Sequence, residues 1–294
     1  MVDISRATSG VTLPAAVSSE IWGATLETSA VMQASRQIQL PGSGVSIPIV
    51  TGEAQAGWVA ETAEKPVSRP TLSNKTITPY KLAVIVPFSD EFRRDKAALY
   101  AELVRRLPFA LGKKFDETVY AATGAPGSNF DQLGGAASVT VDGTGTYADL
   151  VAAYNAVAAA GGDLSAWIAR PELQGLLLAA TDGFGRPLFT PDATTSNRVG
   201  SMLGRPIYGT RATMLKSTTV GDDTGIAGDF AGSAVFGTVE GVQVSFSDQA
   251  TLTDGGDSIN LWQQNMFAVR AEIEVGFRVR DIAQFVKLTS ATQA

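Results

Sequence analysis

Two long stretches of the chain have regular hydrophobic periods, and they predict one long helix and one long strand. From Leu99 to Val119, apolar residues recur at every fourth position and charged residues lie off that stripe, as in an amphipathic helix. Apolar residues alternate with mostly polar ones from Phe267 to Val279, which predicts a strand with one face on a core and the other in water. Pro108 lies inside the helical pattern and should kink the helix.

The predicted helix and strand have similar lengths but come from opposite halves of the chain. Each spans about 40 Å, at roughly 1.5 Å per helical residue and 3.3 Å per strand residue. We expect the strand to pair with Ile282–Leu288 and to pack on the helix in one elongated domain. Between them, residues 136–262 alternate short helix and strand patterns with Gly-rich turns, which predicts an inserted α+β block.

The N-terminal segment has a helical pattern without an obvious core of its own. Val17, Ile21 and Trp22 share one helical face, whereas residues 1–12 and 34–44 look irregular. Two interpretations remain open at this point. The segment is either a short helix packed on its own domain or an arm that lies on a neighbouring subunit.

Residues 45–79 predict a long hairpin with a polar tip. Val45–Val50 is rich in apolar residues, but Pro48 restricts it to a sheet edge. Thr71–Thr78 is β-branched and polar, and residues 61–70 between the strands carry two prolines and four charges. Because a two-stranded ribbon is only marginally stable alone in water, the hairpin must lean on another surface.

Composition then removes several classes of function. The 294 residues include no His and no Cys, and 23 basic against 29 acidic residues give a net charge of −6. The commonest neutral-pH general base is therefore absent, as are disulfides, thiolate metal sites and thiol nucleophiles. The acidic balance gives no overall attraction to nucleic acid or anionic membranes. We expect no enzyme activity, metal, cofactor or small-molecule substrate.

No membrane segment or signal peptide is expected either. No apolar run approaches the ~20 residues of a membrane helix, and residues 1–10 lack the basic and apolar regions of a signal peptide. We therefore expect synthesis in the cytoplasm.

Two weak candidates for chemistry remain. Asp222-Asp223 and the pair Asp254 and Asp257 offer oxygen ligands for a hard cation, although solvated turn acids are the simpler interpretation. The basic pairs at 105–106 and 113–114 could contact phosphate without sequence specificity, and an ion-paired helix face is the simpler interpretation there. Neither pattern predicts catalysis.

Short motifs spread over nearly the whole chain occur in a characteristic order. They are Ala56–Glu61, Lys65–Pro66, Pro79–Ala83, Pro87–Glu91, Asp182–Leu188, Leu203–Ile207, Gly228–Phe230 and Arg270–Ala271. In order and spacing they resemble the major capsid proteins of tailed bacteriophages with the HK97-like fold. No single motif carries the resemblance by itself.

The resemblance implies an α+β, HK97-like capsid fold. Its parts would be an N-terminal arm (1–44), an extended E-loop hairpin (45–79), a peripheral domain with the long spine helix (80–135), an inserted axial domain (136–262) and the closing strands of the peripheral domain (263–294). In that family the arm and the E-loop pack on adjacent subunits. The implied intersubunit contacts are Leu13, Val17, Ile21, Trp22, Trp58, Glu61 and Lys65.

The resemblance also implies a structural role and a set of partners. The chain would self-assemble as hexamers and pentamers into an icosahedral shell around double-stranded DNA, which it would contact only non-specifically. It would become part of the virion after assembly in the bacterial host cytoplasm, with a portal and, in some members, a decoration protein. Because the arm begins directly after Met1, we expect a separate scaffolding protein. The alternative is an encapsulin-type nanocompartment shell.

Some members of the family form a covalent crosslink between a hairpin Lys and an Asn of a neighbour. Lys65 and Asn260 are candidates by residue type only, since no motif for the crosslink is found around them. We expect no crosslink.

Overall fold

The fold consists of two main β-sheets, a small number of helices and two separate ribbons. The computed structural model describes residues 15–50, 56–59, 64–65, 67, 72–93, 96–143, 145–181, 198–216, 221–254 and 256–291. The helices are α1 (Ala15–Thr28), α2 (Ala30–Ala34), α3 (Lys96–Val119), α4 (Thr146–Ala159) and α5 (Pro171–Ala179). None of the helices in these ranges is long and apolar enough to cross a membrane.

Fifteen strands are present in the described ranges. They are β1 (Arg36–Gln39), β2 (Val45–Val50), β3 (Leu72–Ile77), β4 (Tyr80–Ser89), β5 (Ala137–Thr140), β6 (Ala166–Ala169), β7 (Arg198–Met202), β8 (Arg205–Gly209), β9 (Asp223–Gly228), β10 (Ala234–Thr238), β11 (Gln243–Ser247), β12 (Thr251–Asp254), β13 (Asp257–Asn260), β14 (Met266–Val279) and β15 (Phe285–Thr289).

The first sheet is organised around β14, and the predicted long strand is confirmed there. Strand β4 runs antiparallel to β14 along one side, and β10 and β11 pair with it antiparallel on the other. Strand β1 extends the sheet by pairing parallel with β10. The side chains of Val269, Ala271, Ile273, Val275 and Phe277 are all buried, as the period-two pattern predicts.

The predicted long helix is α3, and its apolar stripe packs against this sheet. Leu103, Leu107, Leu111, Phe115 and Val119 are buried at four-residue intervals, and Pro108 lies within the helix. The rings of Phe115 and Phe277 meet edge to face with centroids 6.2 Å apart. This contact joins the C-terminal part of the helix to β14 in the largest hydrophobic cluster of the fold.

The second sheet has the strand order β5-β15-β9-β6-β8-β7 and supports α4 and α5. Its own core contains Trp167, whose indole N–H donates to the carbonyl of Met202 at 3.2 Å. The opposite side chains of β6 and β9, Ile168 and Ile226, belong instead to the cluster that contains α3 and β14. The two sheets therefore share a continuous core.

The sheet partners correct two sequence-based expectations. The long strand does not pair with Ile282–Leu288, because β15 lies between β5 and β9 in the second sheet. Strands β10 and β11, which fall within the predicted insertion at 136–262, pair with β14 in the first sheet. Hydrophobic periodicity identifies a strand from its own residues but carries no information on its partner, so both errors concern pairing.

The N-terminal segment is built into the body of the subunit from α1 onward. Helix α1 packs on α3, and Ile21, Ala30 and Val31 are completely buried. The expectation that residues 34–44 are irregular is also wrong, since β1 pairs with β10 there. Of the two interpretations left open by the sequence, the described part of this segment adopts the first.

A buried carboxylate fixes the junction between α1 and α2 on the long helix. Asp116 of α3 accepts a hydrogen bond from the Ser29 hydroxyl at 2.5 Å and another from the Ala30 backbone N–H at 3.0 Å. Ser29 is the N-cap of α2 and accepts from the Met32 N–H. Burial raises the pKa of Asp116 from 3.8 to about 7, although these hydrogen bonds oppose the rise.

Replacing this carboxylate should change how stability depends on pH. Because the pKa of Asp116 is higher in the folded chain than in the unfolded chain, folding takes up a proton between pH 3.8 and about 7. The contribution of the protonated Asp116 to folding stability is therefore complete at low pH and is lost as the pH rises to about 7. In Asp116→Asn, the slope of unfolding free energy against pH should change by up to about 1.4 kcal/mol per pH unit.

Denaturant unfolding between pH 5 and pH 8 would measure this slope. Asp163→Asn, at an exposed acid in the connection between α4 and β6, controls for the loss of one carboxylate. Identical pH slopes for wild type and Asp116→Asn would contradict the prediction.

Candidate functional site: an exposed hairpin and its root

Strands β2 and β3 form an antiparallel ribbon that belongs to neither main sheet. Their register runs from the pair Val45–Ile77 to the pair Val50–Leu72, and in the described ranges they pair only with each other. Ile77, at the end nearest the body, is completely buried, whereas Ser73 and Asn74 are exposed. The ribbon is thus attached to the subunit by one end, which we call its root.

Two glycines allow the root to approach the body closely. Gly44 has a φ of +81°, and a Cβ there would lie 2.5 Å from the carbonyl oxygen of Ile77. A Cβ on Gly276 of β14 would lie 2.7 Å from the carbonyl oxygen of Thr78. Both distances are shorter than a side chain can accept, so the backbones meet there only because these residues are glycine.

Arg278 of β14 ties the root to the body. Its guanidinium donates to the Thr76 carbonyl at 2.8 Å, to Asn129 Oδ1 at 2.9 Å and to Asp131 Oδ1 at 2.6 Å. One largely buried side chain therefore joins β3, β14 and the loop that follows α3. Bonds in which one partner is charged are the stronger class of protein hydrogen bond.

Asp131 is the acceptor at the centre of this arrangement. Besides Arg278, it accepts from the Val279 backbone N–H at 3.1 Å and lies 3.6 Å from Lys75 Nζ. Lys75 in turn donates to the Val279 carbonyl at 2.7 Å. We call Lys75, Asn129, Asp131 and Arg278 the root clamp.

A cavity of about 230 Å³ lies beside the root clamp, and we call it the root pocket. Its lining is Arg36, Ile47, Pro48, Lys75, Gly232, Ser233, Val235, Arg278, Val279 and Arg280. Arg36 and Arg280 are exposed, and neither has an ion-pair partner in the described part of the chain. The pocket thus combines an apolar wall with two uncompensated positive charges.

The opposite end of the ribbon carries apolar side chains in water. We use the term tip loop for the stretch between β2 and β3, of which the structure describes residues 56–59, 64–65 and 67. Trp58 is fully exposed and Val67 is 83% exposed. Glu64 and Lys65 are exposed beside them. Exposed tryptophan on a segment that has no core of its own is typical of a surface that binds another molecule.

Comparison with known proteins identifies what kind of chain carries this ribbon. The sequence model described as "Phage capsid family" matches residues 9–290. The chain belongs to the phage capsid family. A probable major capsid protein, gp17 of Mycobacterium phage L5, is 34% identical over 284 residues, covering 90% of this chain and 86% of the relative. The chain accordingly functions as a phage major capsid protein, a structural component of the virion.

Solved structures share the α+β fold at lower sequence identity. A chain from Mycobacterium phage Cain superimposes with a TM-score of 0.69 and 23% identity, over 91% of this chain and 92% of that one. A chain from the capsid of an empty GTA particle, reconstructed with C5 symmetry, has a TM-score of 0.65 and 14% identity, over 99% and 95% of the two chains. The mixed α+β fold of this capsid protein is therefore shared across distant sequences.

The residues implied as intersubunit contacts fall in different environments. Trp58 and Lys65 are exposed on the tip loop, whereas Glu61 and Leu13 lie outside the described residues. The backbone of Val17 is helical within α1. Trp22 is partly buried against the main core.

Ile21 is corrected from a contact residue to a core residue. Its side chain has no exposed surface in the isolated subunit because α1 presses it into the cluster that contains α3. The amphipathic pattern correctly indicated that this face is buried. It could not indicate that the same chain buries it.

Three of the other sequence candidates, Asp223, Arg106 and Lys113, are engaged within the subunit. Asp223 is a buried residue of β9 and not a solvated turn acid; burial raises its pKa, and Lys287 at 3.5 Å partly offsets the rise. On α3, Arg106 pairs with Glu102, and Lys113 lies 3.8 Å from Glu117. These contacts favour the ion-paired interpretation of the helix face. No cluster of potential metal ligands occurs among the described side chains.

Sequence reasoning missed the root clamp and the root pocket. Arg278 and Asp131 are 147 positions apart, and neither belongs to a motif. The only available signal was the alternation in β14, which places Arg270 and Arg278 on the strand's polar side. A basic residue on a polar face is ordinarily solvated, so the pattern alone does not single out Arg278.

Removing the clamp should destabilise the subunit. Arg278→Ala leaves the largely buried Asp131 with fewer donors, so the free energy of unfolding should fall by about 2 kcal/mol. Arg270→Ala is the matched control on the same strand, because Arg270 is half exposed and pairs with Glu272 at 3.3 Å. That exposed pair should contribute less than ~1 kcal/mol. Equal losses in both variants, measured by denaturant unfolding, would contradict the proposed role of Arg278.

Proposed function

We propose that this capsid subunit closes into an icosahedral shell of hexamers and pentamers in which each hairpin lies on a neighbouring subunit. The observation that carries the proposal is the fully exposed Trp58 on a ribbon that, among the described residues, is attached to the body at its root. Transferring a large apolar side chain from water into a contact is worth about 1.5–3 kcal/mol. Repetition of that contact in every subunit would stabilise the shell collectively.

The rigid root supports this use of the hairpin. A segment that orders only on binding loses about 1–2 kcal/mol of backbone entropy per residue. The root clamp and the close backbone contacts at Gly44 and Gly276 hold the start of the ribbon before assembly. Less backbone then has to be ordered on assembly, which makes a net favourable contact easier to reach.

Similarity to known capsid chains supports the proposed shell geometry. The GTA capsid chain that resembles this one comes from a particle reconstructed with C5 symmetry. That symmetry supports fivefold rings for this subunit as well. Heterologous head-to-tail contacts generate closed rings when the rotation closes. The named relatives are phage capsid proteins, which favours the phage shell over the encapsulin-type alternative.

We assign domain roles by sheet and not by contiguous segments. In this proposal the first sheet with α3 forms the peripheral domain, and the second sheet with α4 and α5 forms the axial domain. The HK97-like arrangement of arm, E-loop, peripheral domain and axial domain is kept, but β10 and β11 move to the peripheral sheet and β15 to the axial sheet.

The proposed shell would also have protein partners and packaged DNA. We propose assembly in the host cytoplasm with a separate scaffolding protein and a portal, with a decoration protein as an optional addition. Contact with packaged double-stranded DNA would be non-specific, which the net charge of −6 and the paired basic residues of α3 support. A purely structural role without catalysis fits the named relatives.

A single exposed side chain tests the proposal. Trp58→Ser should leave the folding stability of the unassembled subunit within about 0.5 kcal/mol of wild type, because Trp58 contacts no core. The same variant should strongly reduce the yield of particles, measured by sedimentation and negative-stain electron microscopy. Leu178→Ser, at another exposed apolar residue on α5, is the control and should assemble normally. Normal assembly of Trp58→Ser would refute the role of the tip.

A further inference from the structure

Two arginines of the root pocket have no partner for their charge. The lining includes no acidic residue and four basic ones, Arg36, Lys75, Arg278 and Arg280. Asp131, beside the pocket, accepts from Arg278 and lies 3.6 Å from Lys75, so those two cations share one carboxylate. The exposed guanidinium groups of Arg36 and Arg280 donate to no group in the described part of the chain. On a chain of net charge −6, such a local excess of positive charge attracts an anion.

The acids nearest in sequence to this lining bind backbone groups instead. Asp229 accepts from the Gly232 N–H at 2.8 Å, and Asp281 accepts from the Ala283 N–H at 2.9 Å. Within the described ranges, neither carboxylate forms an ion pair with the two unpaired arginines. The excess charge is therefore not relieved by these neighbouring side chains.

The strand register brings the basic side chains of the pocket together. Val235 of β10 pairs with Arg36 of β1 on one side and with Arg278 of β14 on the other. Neighbouring strands lie ~4.8 Å apart, so the Cα atoms of the two arginines are about 10 Å apart across one face of the sheet. Arg280 follows on β14's side, where its backbone N–H donates to the Ser233 carbonyl at 2.7 Å. Long side chains from both edges of this gap can meet over Val235.

A buried hydroxyl adds a further donor to the lining. Ser233 is almost completely buried, and its Oγ accepts from the Asp281 N–H at 3.3 Å. That bond uses a lone pair and leaves the O–H of Ser233 to donate. In the described part of the chain, this O–H has no acceptor. The pocket thus offers two guanidinium groups and one hydroxyl to the same missing acceptor.

The donor set and the size of the pocket define the class of ligand. A guanidinium is a planar fork of N–H donors that matches the oxygens of phosphate. Two forks and a hydroxyl suit an anion with several oxygens and more than one charge better than a single carboxylate. The volume of about 230 Å³ is below the ~300–1,000 Å³ of sites for drug-sized ligands, which favours a small ion.

The walls of the pocket strengthen its charges. Ile47 and Pro48 of β2 line it from the ribbon, and Val235 and Val279 line it from the first sheet. Apolar walls exclude water, and charges attract more strongly where the surroundings are less polarisable. An ion in the pocket would contact both the ribbon and the sheet.

We propose that the root pocket binds a small, multiply charged oxyanion of the phosphate type, held by Arg36, Arg280 and the hydroxyl of Ser233. The ion bridges the ribbon and the first sheet, so its binding makes the root more rigid. The site lies within one subunit. It does not depend on the proposed contact between the hairpin tip and a neighbour.

Titration calorimetry of the unassembled full-length subunit with inorganic phosphate, at constant ionic strength, tests the site. We expect one phosphate to bind per subunit. Because a ligand that binds only the folded state stabilises it, the melting temperature should also be higher in phosphate than in chloride of equal ionic strength. Sulfate, an oxyanion of the same shape, should compete with phosphate.

Variants at the two arginines assign the binding to the pocket. Arg36→Gln/Arg280→Gln should weaken phosphate binding at least about tenfold, because it removes both charged donors. The matched control Arg211→Gln/Arg270→Gln removes the same charge from exposed arginines outside the pocket and should bind as wild type does. Arg36→Lys/Arg280→Lys keeps the charges without the forks and should bind with intermediate affinity. Circular dichroism would verify that each variant is folded.

Several results would overturn the assignment. Absence of phosphate binding to the wild-type subunit would do so, as would equal binding to the wild type and to Arg36→Gln/Arg280→Gln. Acetate that binds as tightly as phosphate would make the pocket a carboxylate site. A short DNA duplex that binds through the two arginines, when inorganic phosphate does not, would make it a nucleic-acid contact.

Discussion

A two-stranded ribbon cannot enclose its own side chains, and the organisation of this capsid subunit depends on that constraint. Strands β2 and β3 belong to neither main sheet, and the described residues between them include a fully exposed tryptophan. Two strands provide one surface and no second layer to cover it. In the proposed assembly, a surface from another subunit covers the apolar side chains at the tip.

The body of the subunit is arranged to hold the ribbon at one end. Phe115, Phe130 and Phe277 pack together under β14, and the polar residues at the end of that strand turn toward the ribbon. Arg278 and Asp131 there join β14, β3 and the loop after α3. The same core that stabilises the isolated subunit thus fixes where the ribbon starts, which is what a repeating contact between copies requires.

The sequence predicts elements well in this chain and partners poorly. The four-residue period of α3 and the two-residue period of β14 are properties of contiguous residues, and both predictions are confirmed. The pairing of β15, the position of β10 and β11, and the bond between Arg278 and Asp131 depend on residues far apart in the chain. Ile21 illustrates the same limit, because a helical face that must be buried does not specify which chain covers it.

The contact between the tip of one hairpin and a second subunit is the central claim, and a cryo-electron microscopy reconstruction of assembled particles tests it most directly. We predict that the indole ring of Trp58 lies within about 4 Å of side chains from a neighbouring copy and is shielded from solvent. A reconstruction in which Trp58 remains in solvent, or packs only on its own subunit, would contradict the account.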